Sequence, residues 1–181
     1  MRIIAGKFKG RTIRTPKGLP VRPTTDRTRE SLFNILQHEY DWADLQVLDL
    51  FSGTGSVSLE FASRGVAAVT SVDRHAACIQ ALRDMASILG ISNLNTVKMD
   101  VQRFLDQCAE RYDLIFLDPP YDMPEIEALV KTIFARDLLS PQGTVVLEHR
   151  SQLRFDTLDF FQSSRSYGSS TLSFFNHEPL L

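Results

Sequence analysis

The chain has 181 residues, 43% of them hydrophobic and 23% charged, which suits one domain with a sizeable core and excludes a disordered or low-complexity protein. No apolar run approaches the length of a membrane span, and the basic start Met1-Arg2-Ile3-Ile4-Ala5-Gly6 lacks the long apolar stretch of a signal peptide. The two cysteines, Cys78 and Cys108, match no metal or redox spacing and read as packing residues in a reducing, cytoplasmic setting.

The net charge of −2 conceals an asymmetry. Residues 1–30 hold nine Lys or Arg against Asp26 and Glu30, a charge of +7, and the remaining 151 residues sum to −9. A basic segment on an acidic body points to a polyanion partner on one face; the bland alternative is a solvated extension. Gly6, Phe8 and Gly10 interrupt the charges in a hairpin-like pattern, so residues 2–15 are predicted as two short strands. Pro16, Gly18, Pro20 and Pro23 mark a loop, and Thr24, Thr25 or Asp26 caps a helix running to about Tyr40. Tyr40 and Trp42 are expected to pack that helix.

From Val47 strands alternate with helices. Strands are predicted at Val47–Phe51, Ala68–Asp73, Asn95–Met99, Leu114–Leu117 and Thr144–Glu148, with helices near residues 57–64, 75–89, 101–108 and 125–136. In the last helix Ile126, Leu129, Val130, Ile133 and Phe134 recur at helical spacing. Pro141-Gln142-Gly143 is expected to turn the chain into the fifth strand. Ser163–Tyr167 and Thr171–Asn176 suggest a closing hairpin. Short apolar strands alternating with helices imply an α/β fold with a mostly parallel sheet covered on both faces.

In such sheets ligands bind at the carboxyl ends of the strands. Gly53 and Gly55 follow the first strand, where glycine permits a tight turn and close approach to a ligand. Asp49 lies inside the first strand end, Asp73 ends the second strand within reach of ribose hydroxyls, and Asp100 ends the third, where it can accept from an adenine amino group. Gly53-Thr54-Gly55-Ser56-Val57-Ser58 is only a partial dinucleotide fingerprint, because Ser58 replaces the third glycine. Three acids suit the sulfonium and ammonium of S-adenosylmethionine better than the pyrophosphate of NAD. The structural alternative is that each Asp only caps the helix that follows.

Asp118-Pro119-Pro120-Tyr121 follows the apolar run Leu114-Ile115-Phe116-Leu117. The Asp118 carboxylate and a rigidly held Pro119 carbonyl can bind the hydrogens of an exocyclic amine and orient its lone pair, while Tyr121 stacks on the ring. Catalysis would then be chiefly positioning for in-line displacement, with Asp118 or water taking the proton.

These residues resemble the class I S-adenosylmethionine-dependent methyltransferases, within them the group with an (Asp/Asn/Ser)-Pro-Pro-(Tyr/Phe) motif. Arg2-Ile3-Ile4-Ala5-Gly6-Lys7, Gly10-Arg11 and the stretch Arg22-Pro23-Thr24-Thr25-Asp26-Arg27 through Leu36 are similar to the RsmD-type bacterial 16S rRNA guanine-N2 methyltransferases, a match extending to Glu148. The resemblance implies a Rossmann-like, seven-stranded sheet with a reversed last strand, and a basic RNA-binding extension over residues 1–24 ahead of a methyltransferase domain over 25–181. It implies cofactor contacts at Asp49, Phe51, Gly53, Gly55, Asp73, Asp100 and Val101, and a target base at Asp118, Pro119, Pro120 and Tyr121. S-adenosylmethionine would be the cofactor, S-adenosylhomocysteine the product, with no metal. The partner would be 16S rRNA, the small ribosomal subunit or an assembly intermediate, with no membrane and no obligate protein partner. RNA contacts are expected at Lys7, Lys9, Arg11, Arg22, Thr24, Arg27 and Arg29, although the last four could instead pin the loop by salt bridges. Phe8 stands where the family often has Trp, Asp73 where Glu is usual, and Asp84-Met85 in a helix that often carries Asn.

An adenine-N6 methylase shares the clamp chemistry, an NAD-dependent oxidoreductase would need a substrate domain that is not evident, and a noncatalytic RNA-binding protein would not need Gly53, Gly55, Asp73 and Asp118 together. His38, His75, His149 and His177 show no ligand spacing and read as surface or helix-end residues. Glu148 ends a strand near the site, with a structural role at least as expected as a chemical one.

Overall fold

The computed structural model describes residues 1–13, 18 and 26–177. Helix α1 (Asp26–Leu36) leads to β1 (Gln46–Leu50), α2 (Ser56–Arg64), β2 (Ala68–Asp73), α3 (Ala76–Leu89), β3 (Leu94–Lys98), α4 (Val101–Gln107), β4 (Tyr112–Leu117), α5 (Ile126–Ala135), β5 (Leu139–Arg150), β6 (Phe161–Tyr167) and β7 (Ser170–Phe175). The strands form one sheet in the order β3-β2-β1-β4-β5-β7-β6. The first five run parallel, and β7 enters antiparallel between β5 and β6. Parallel strands need crossovers, which α2 to α5 supply, so both faces are covered and β1 and β4 read as nearly unbroken apolar runs.

Two cores flank the sheet. On one face Leu48, Leu50, Ile115, Leu117 and Leu147 meet Val101 and Leu105 of α4 and Leu129, Val130 and Ile133 of α5. On the other Val47, Leu114, Phe116 and Val146 meet Phe33 of α1 and Phe61 of α2. Phe33 and Phe61 pack edge to face at 4.6 Å, with Trp42 6.1 Å from each, in the packing role expected of it.

Among the described N-terminal residues the expected hairpin forms, shorter than two full strands: Arg2 bridges Thr12 antiparallel, Ile3 N–H donates to the Arg11 carbonyl at 3.0 Å, Gly10 N–H to the Ile3 carbonyl at 2.9 Å and Ile13 N–H to the Met1 carbonyl at 2.9 Å. This hairpin docks on the flank of α2: Ile4 and Ala5 N–H donate to the two oxygens of Glu60 at 2.8 and 3.0 Å, and Lys7 N–H donates to the Ser63 carbonyl at 2.7 Å. Ile3 and Ile13 bury against Leu59, Leu82 and Met85. Residues 1–13 are therefore packed onto the sheet-and-helix body rather than standing off as a free arm. Gly6, at φ +81°, passes so close to α2 that a Cβ would lie 1.9 Å from the Ser63 carbonyl oxygen. Gly6→Ala should therefore cost about 1–3 kcal/mol or more from the strained φ and the clash together, read as a lowered denaturant midpoint; an unchanged midpoint would mean the segment does not dock this way in solution.

Three further boundaries shift. Helix α1 stops at Leu36 because Tyr40 turns away to donate its hydroxyl to Thr144 Oγ1 of β5 at 2.7 Å. Strand β1 ends at Leu50 because Phe51 takes φ +63°. Pro141-Gln142-Gly143 does not precede β5 but lies within it, as an irregular stretch: Tyr112 pairs with Leu139 and Leu114 with Thr144. His149 is a correction of a different kind. It is not a surface residue but is buried in β5, with Nδ1 at 2.8 Å from the Arg150 carbonyl and Nε2 at 2.8 Å from Ser173 Oγ. Burial holds its pKa below the usual imidazole value, partly offset by the bond to Arg150.

Candidate active site

The carboxyl ends of β1, β2, β4 and β5 open onto a cavity of about 520 Å³. Asp49, Phe51, Gly53, Asp73, Asp100 and Val101 line it together with Asp118, Pro119, Pro120 and Tyr121. The topology that brings them together is the central placing of β1 between β2 and β4. Gly55 does not line the cavity; at φ +84° it is the N-cap of α2, in a position where a Cβ would meet Leu82 Cδ1 at 2.3 Å.

Three residues in five, Phe51, Gly53 and Gly55, have positive φ. For Phe51, with a Cβ, that conformation costs about 1–3 kcal/mol and is held by its surroundings. The loop is pinned by Ser52 N–H to the Val72 carbonyl at 3.0 Å and Gly55 N–H to the Ser52 carbonyl at 2.8 Å. Asp73 Oδ2 accepts from Gly53 N–H and Oδ1 from His75 N–H, each at 2.8 Å, so this one carboxylate ties the glycine loop to the end of β2. Asp100 accepts from Arg103 N–H at 3.2 Å and caps α4, so capping is part of its role. It is also exposed at the cavity wall.

Asp49 is almost wholly buried and accepts a short hydrogen bond from the Ser58 hydroxyl, which in turn lies 2.6 Å from Ser71 Oγ. Burial pushes its pKa up to about 7; the Ser58 bond opposes the rise and the charge of Asp73 adds to it. An unfolded Asp releases its proton near pH 3.9, so between about pH 4 and pH 7 the native chain holds a proton that the unfolded chain has lost. Stability should then fall as pH rises through that window, by up to about 1.4 kcal/mol per pH unit. Asp49→Asn should remove this slope in denaturant titrations at stepped pH, and a variant with the wild-type slope would show that Asp49 titrates normally.

Tyr121 is held in two ways: its hydroxyl lies 3.0 Å from Ser170 Oγ of β7, and the Arg150 guanidinium sits 4.8 Å from its ring centroid. The loop itself is anchored through backbone, Asp118 N–H to the Leu50 carbonyl at 3.4 Å and Met123 N–H to the Pro120 carbonyl at 3.0 Å. Glu148, Ser170, Met1 and His75 also line the cavity, although the sequence assigns none of them a part in the chemistry. Glu148 had a signal: it follows Val145-Val146-Leu147 as Asp118 follows its own apolar run.

The lining carries the acids Asp49, Asp73, Asp100, Asp118, Asp122 and Glu148 against the guanidinium of Arg74. That balance, with a loop bent to let backbone approach, fits a cationic nucleoside such as S-adenosylmethionine. Among the described residues no group of three or more His, Cys, Asp or Glu is placed to hold a metal ion, and no helix is long and apolar enough to cross a membrane.

Of the expected RNA contacts, Lys7, Lys9, Arg11 and Arg27 are exposed, with Lys7 Nζ 5.3 Å from the Phe8 ring. Arg22 and Thr24 lie outside the described residues. Arg29 is a correction: it is fully buried, donating to the Arg2 carbonyl at 2.7 Å and to Asp26 Oδ1 at 2.8 Å. It pins the N-terminal segment to α1, the alternative role weighed for it, and does not face solvent.

The conserved hypothetical protein 95 family matches residues 1–176. Ribosomal RNA small subunit methyltransferase D of Escherichia coli (strain K12) is 32% identical over 148 residues, covering 82% of this chain and 74% of that protein. A solved structure of a Thermus thermophilus hypothetical protein superposes with a TM-score of 0.86 at 30% identity, covering 97% of this chain and 99% of that one. The Thermus thermophilus 16S rRNA N2 G1207 methyltransferase, solved with AdoMet and guanosine, shares the fold with a TM-score of 0.70 at 22% identity, over 86% of this chain and 44% of that one.

Proposed function

From the premise that this chain belongs to the conserved hypothetical protein 95 family, the RsmD-type rRNA methyltransferases, we propose that it methylates the exocyclic N2 of a guanine in 16S rRNA, of the guanine-966 type. The chain is an S-adenosylmethionine-dependent rRNA methyltransferase. What supports the finer reading is one observation: the acidic glycine-loop cradle and the Asp118–Tyr121 segment open into the same cavity.

Asp49, Phe51, Gly53, Asp73, Asp100 and Val101 would hold the cofactor, with Gly55 shaping the loop. When bound, S-adenosylmethionine supplies an electrophilic methyl group on a sulfonium. The protein's own part is positional. The Asp118 carboxylate and the Pro119 carbonyl accept the two amino hydrogens and turn the nitrogen lone pair toward the methyl. Pro120 stiffens the turn, and Tyr121, braced by Arg150 and Ser170, offers a ring face to the extruded base. Asp118 or a water takes the proton. Lys7, Lys9, Arg11 and Arg27 contact RNA phosphates, with Arg22 and Thr24 as further candidates, so affinity should fall steeply with salt. The substrate is the small subunit, its free RNA or an assembly intermediate, in the cytoplasm.

The test is methyl transfer from radiolabelled S-adenosylmethionine to undermethylated 30S particles, naked 16S RNA and duplex DNA, with the modified nucleoside identified by mass spectrometry. N2-methylguanosine in a ribosomal substrate is the expected product. N6-methyladenine would keep the fold and cofactor but move the enzyme to the adenine reading.

A further inference from the structure

The Asp118–Pro119 clamp reads only an amino group, and both guanine and adenine present one. What differs is the neighbouring ring nitrogen. Beside its N2 amine guanine carries N1–H, a donor; beside its N6 amine adenine carries N1 with a lone pair, an acceptor. A site that selects guanine needs a second acceptor next to the first.

The structure contains such a group. Leu117 of β4 pairs with Leu147 of β5 in parallel register, so the next residues, Asp118 just past the end of β4 and Glu148 still within β5, are neighbours on backbones that lie about 4.8 Å apart. Both line the same cavity. Phe116 and Val146, two residues before each, share one core on one face of the sheet, and Asp118 and Glu148 follow them at the same strand period. Glu148 is 3% exposed, a carboxylate withdrawn from solvent at the wall of a cavity, and amine positioning by the clamp does not use it.

We infer that Glu148 is the guanine-selecting residue: its carboxylate accepts N1–H of the target base while Asp118 accepts an amino hydrogen. The inference rests on the guanine-N2 reading and deepens it. Two parallel acceptors match the two adjacent donors of guanine. Adenine offered in the same pose would set its N1 lone pair against a buried carboxylate, a repulsion that rejects it without any steric exclusion.

The discriminating probe is 2-aminopurine, which keeps the C2 amine and replaces N1–H with a lone pair. The wild-type protein is assayed on 16S RNA carrying guanine or 2-aminopurine at the methylated position, and kcat/KM is compared. The expected wild-type preference for guanine is about 10- to 100-fold, the cost of losing one charge-assisted hydrogen bond. Glu148→Gln, whose amide can donate to the N1 lone pair, should lower that preference at least about tenfold by losing rate on guanine and gaining it on 2-aminopurine. Binding of S-adenosylhomocysteine by the variant monitors folding. Should Glu148→Gln fail that check, Glu148→Ala serves, with loss confined to guanine as the expected result. Equal use of both bases by the wild-type protein, or a variant that slows both equally, would overturn the role of Glu148 while leaving N2 methylation standing. A wild-type product of N6-methyladenosine would instead sink the guanine reading itself, and this role with it.

Discussion

Asp118→Ala should lower the rate of methyl transfer by about a hundred- to ten-thousand-fold while leaving S-adenosylhomocysteine affinity close to wild type. The expected separation follows from the anchoring of the segment. The loop after β4 is held by backbone bonds from Asp118 N–H to Leu50 and from Met123 N–H to Pro120, which the substitution does not remove. The glycine loop, the proposed cofactor side of the cavity, is tied by Asp73 through Gly53 and His75, on a different strand. What the variant loses is the acceptor proposed to orient the amine. Asp118→Asn, which retains a carbonyl oxygen at that position, should recover a substantial part of the rate. Single-turnover transfer measured beside calorimetric binding separates the effects. Wild-type rate in Asp118→Ala would remove the clamp from the mechanism, and a parallel loss of cofactor binding would make Asp118 a structural residue.

The largest expected effect on stability lies far from the chemistry, at Glu60. This carboxylate is fully buried on α2. It accepts from Ile4 N–H, Ala5 N–H and Arg64, whose guanidinium in turn lies 4.5 Å from the Phe33 ring centroid and 5.6 Å from that of Trp42. Glu60→Ala strips the partner from a mostly buried cation and from two backbone donors at once. Removing one member of a buried ion pair costs about 3–5 kcal/mol, and at 2–4 °C per kcal/mol for a chain of this size the melting temperature should drop by roughly 6–20 °C. A shift within about 2 °C would show that the segment over residues 1–13 contributes little to the folded state. For the same reason, removing that segment should harm folding as well as any RNA contact, because it takes Ile3 and Ile13 out of a core.

The parallel half of the sheet was legible because its grammar is local. Each strand is a short apolar run, and Asp73, Asp100 and Asp118 each stand just past or at the end of one, where an α/β sheet places its ligands. Gly53 and Gly55 announced the bend after β1. Pairing within the N-terminal segment was legible too, in its alternation and its glycines. Its docking was not, because its bonds to Glu60 and Ser63 reach 55 residues and more along the chain, which no local period reports. Burial of charge was equally hidden. Arg29 stands two residues from the exposed Arg27 yet has no access to solvent, and Glu148 looks in sequence like any strand-end acid. Only the β4–β5 register shows that Glu148 and Asp118 are neighbours.

The docking of the first residues onto α2 also bears on how the chain comes into being. On the ribosome, Met1 to Ile13 are made before Leu59, Ser63, Leu82 and Met85, the surface that receives them, which follow about 46 to 72 residues after Ile13. Strand β1 likewise waits for β4, its partner on one side, across more than 60 residues. The hairpin is thus secured well after it is made, and its two buried isoleucines must stay out of other engagements until α2 and α3 arrive to cover them.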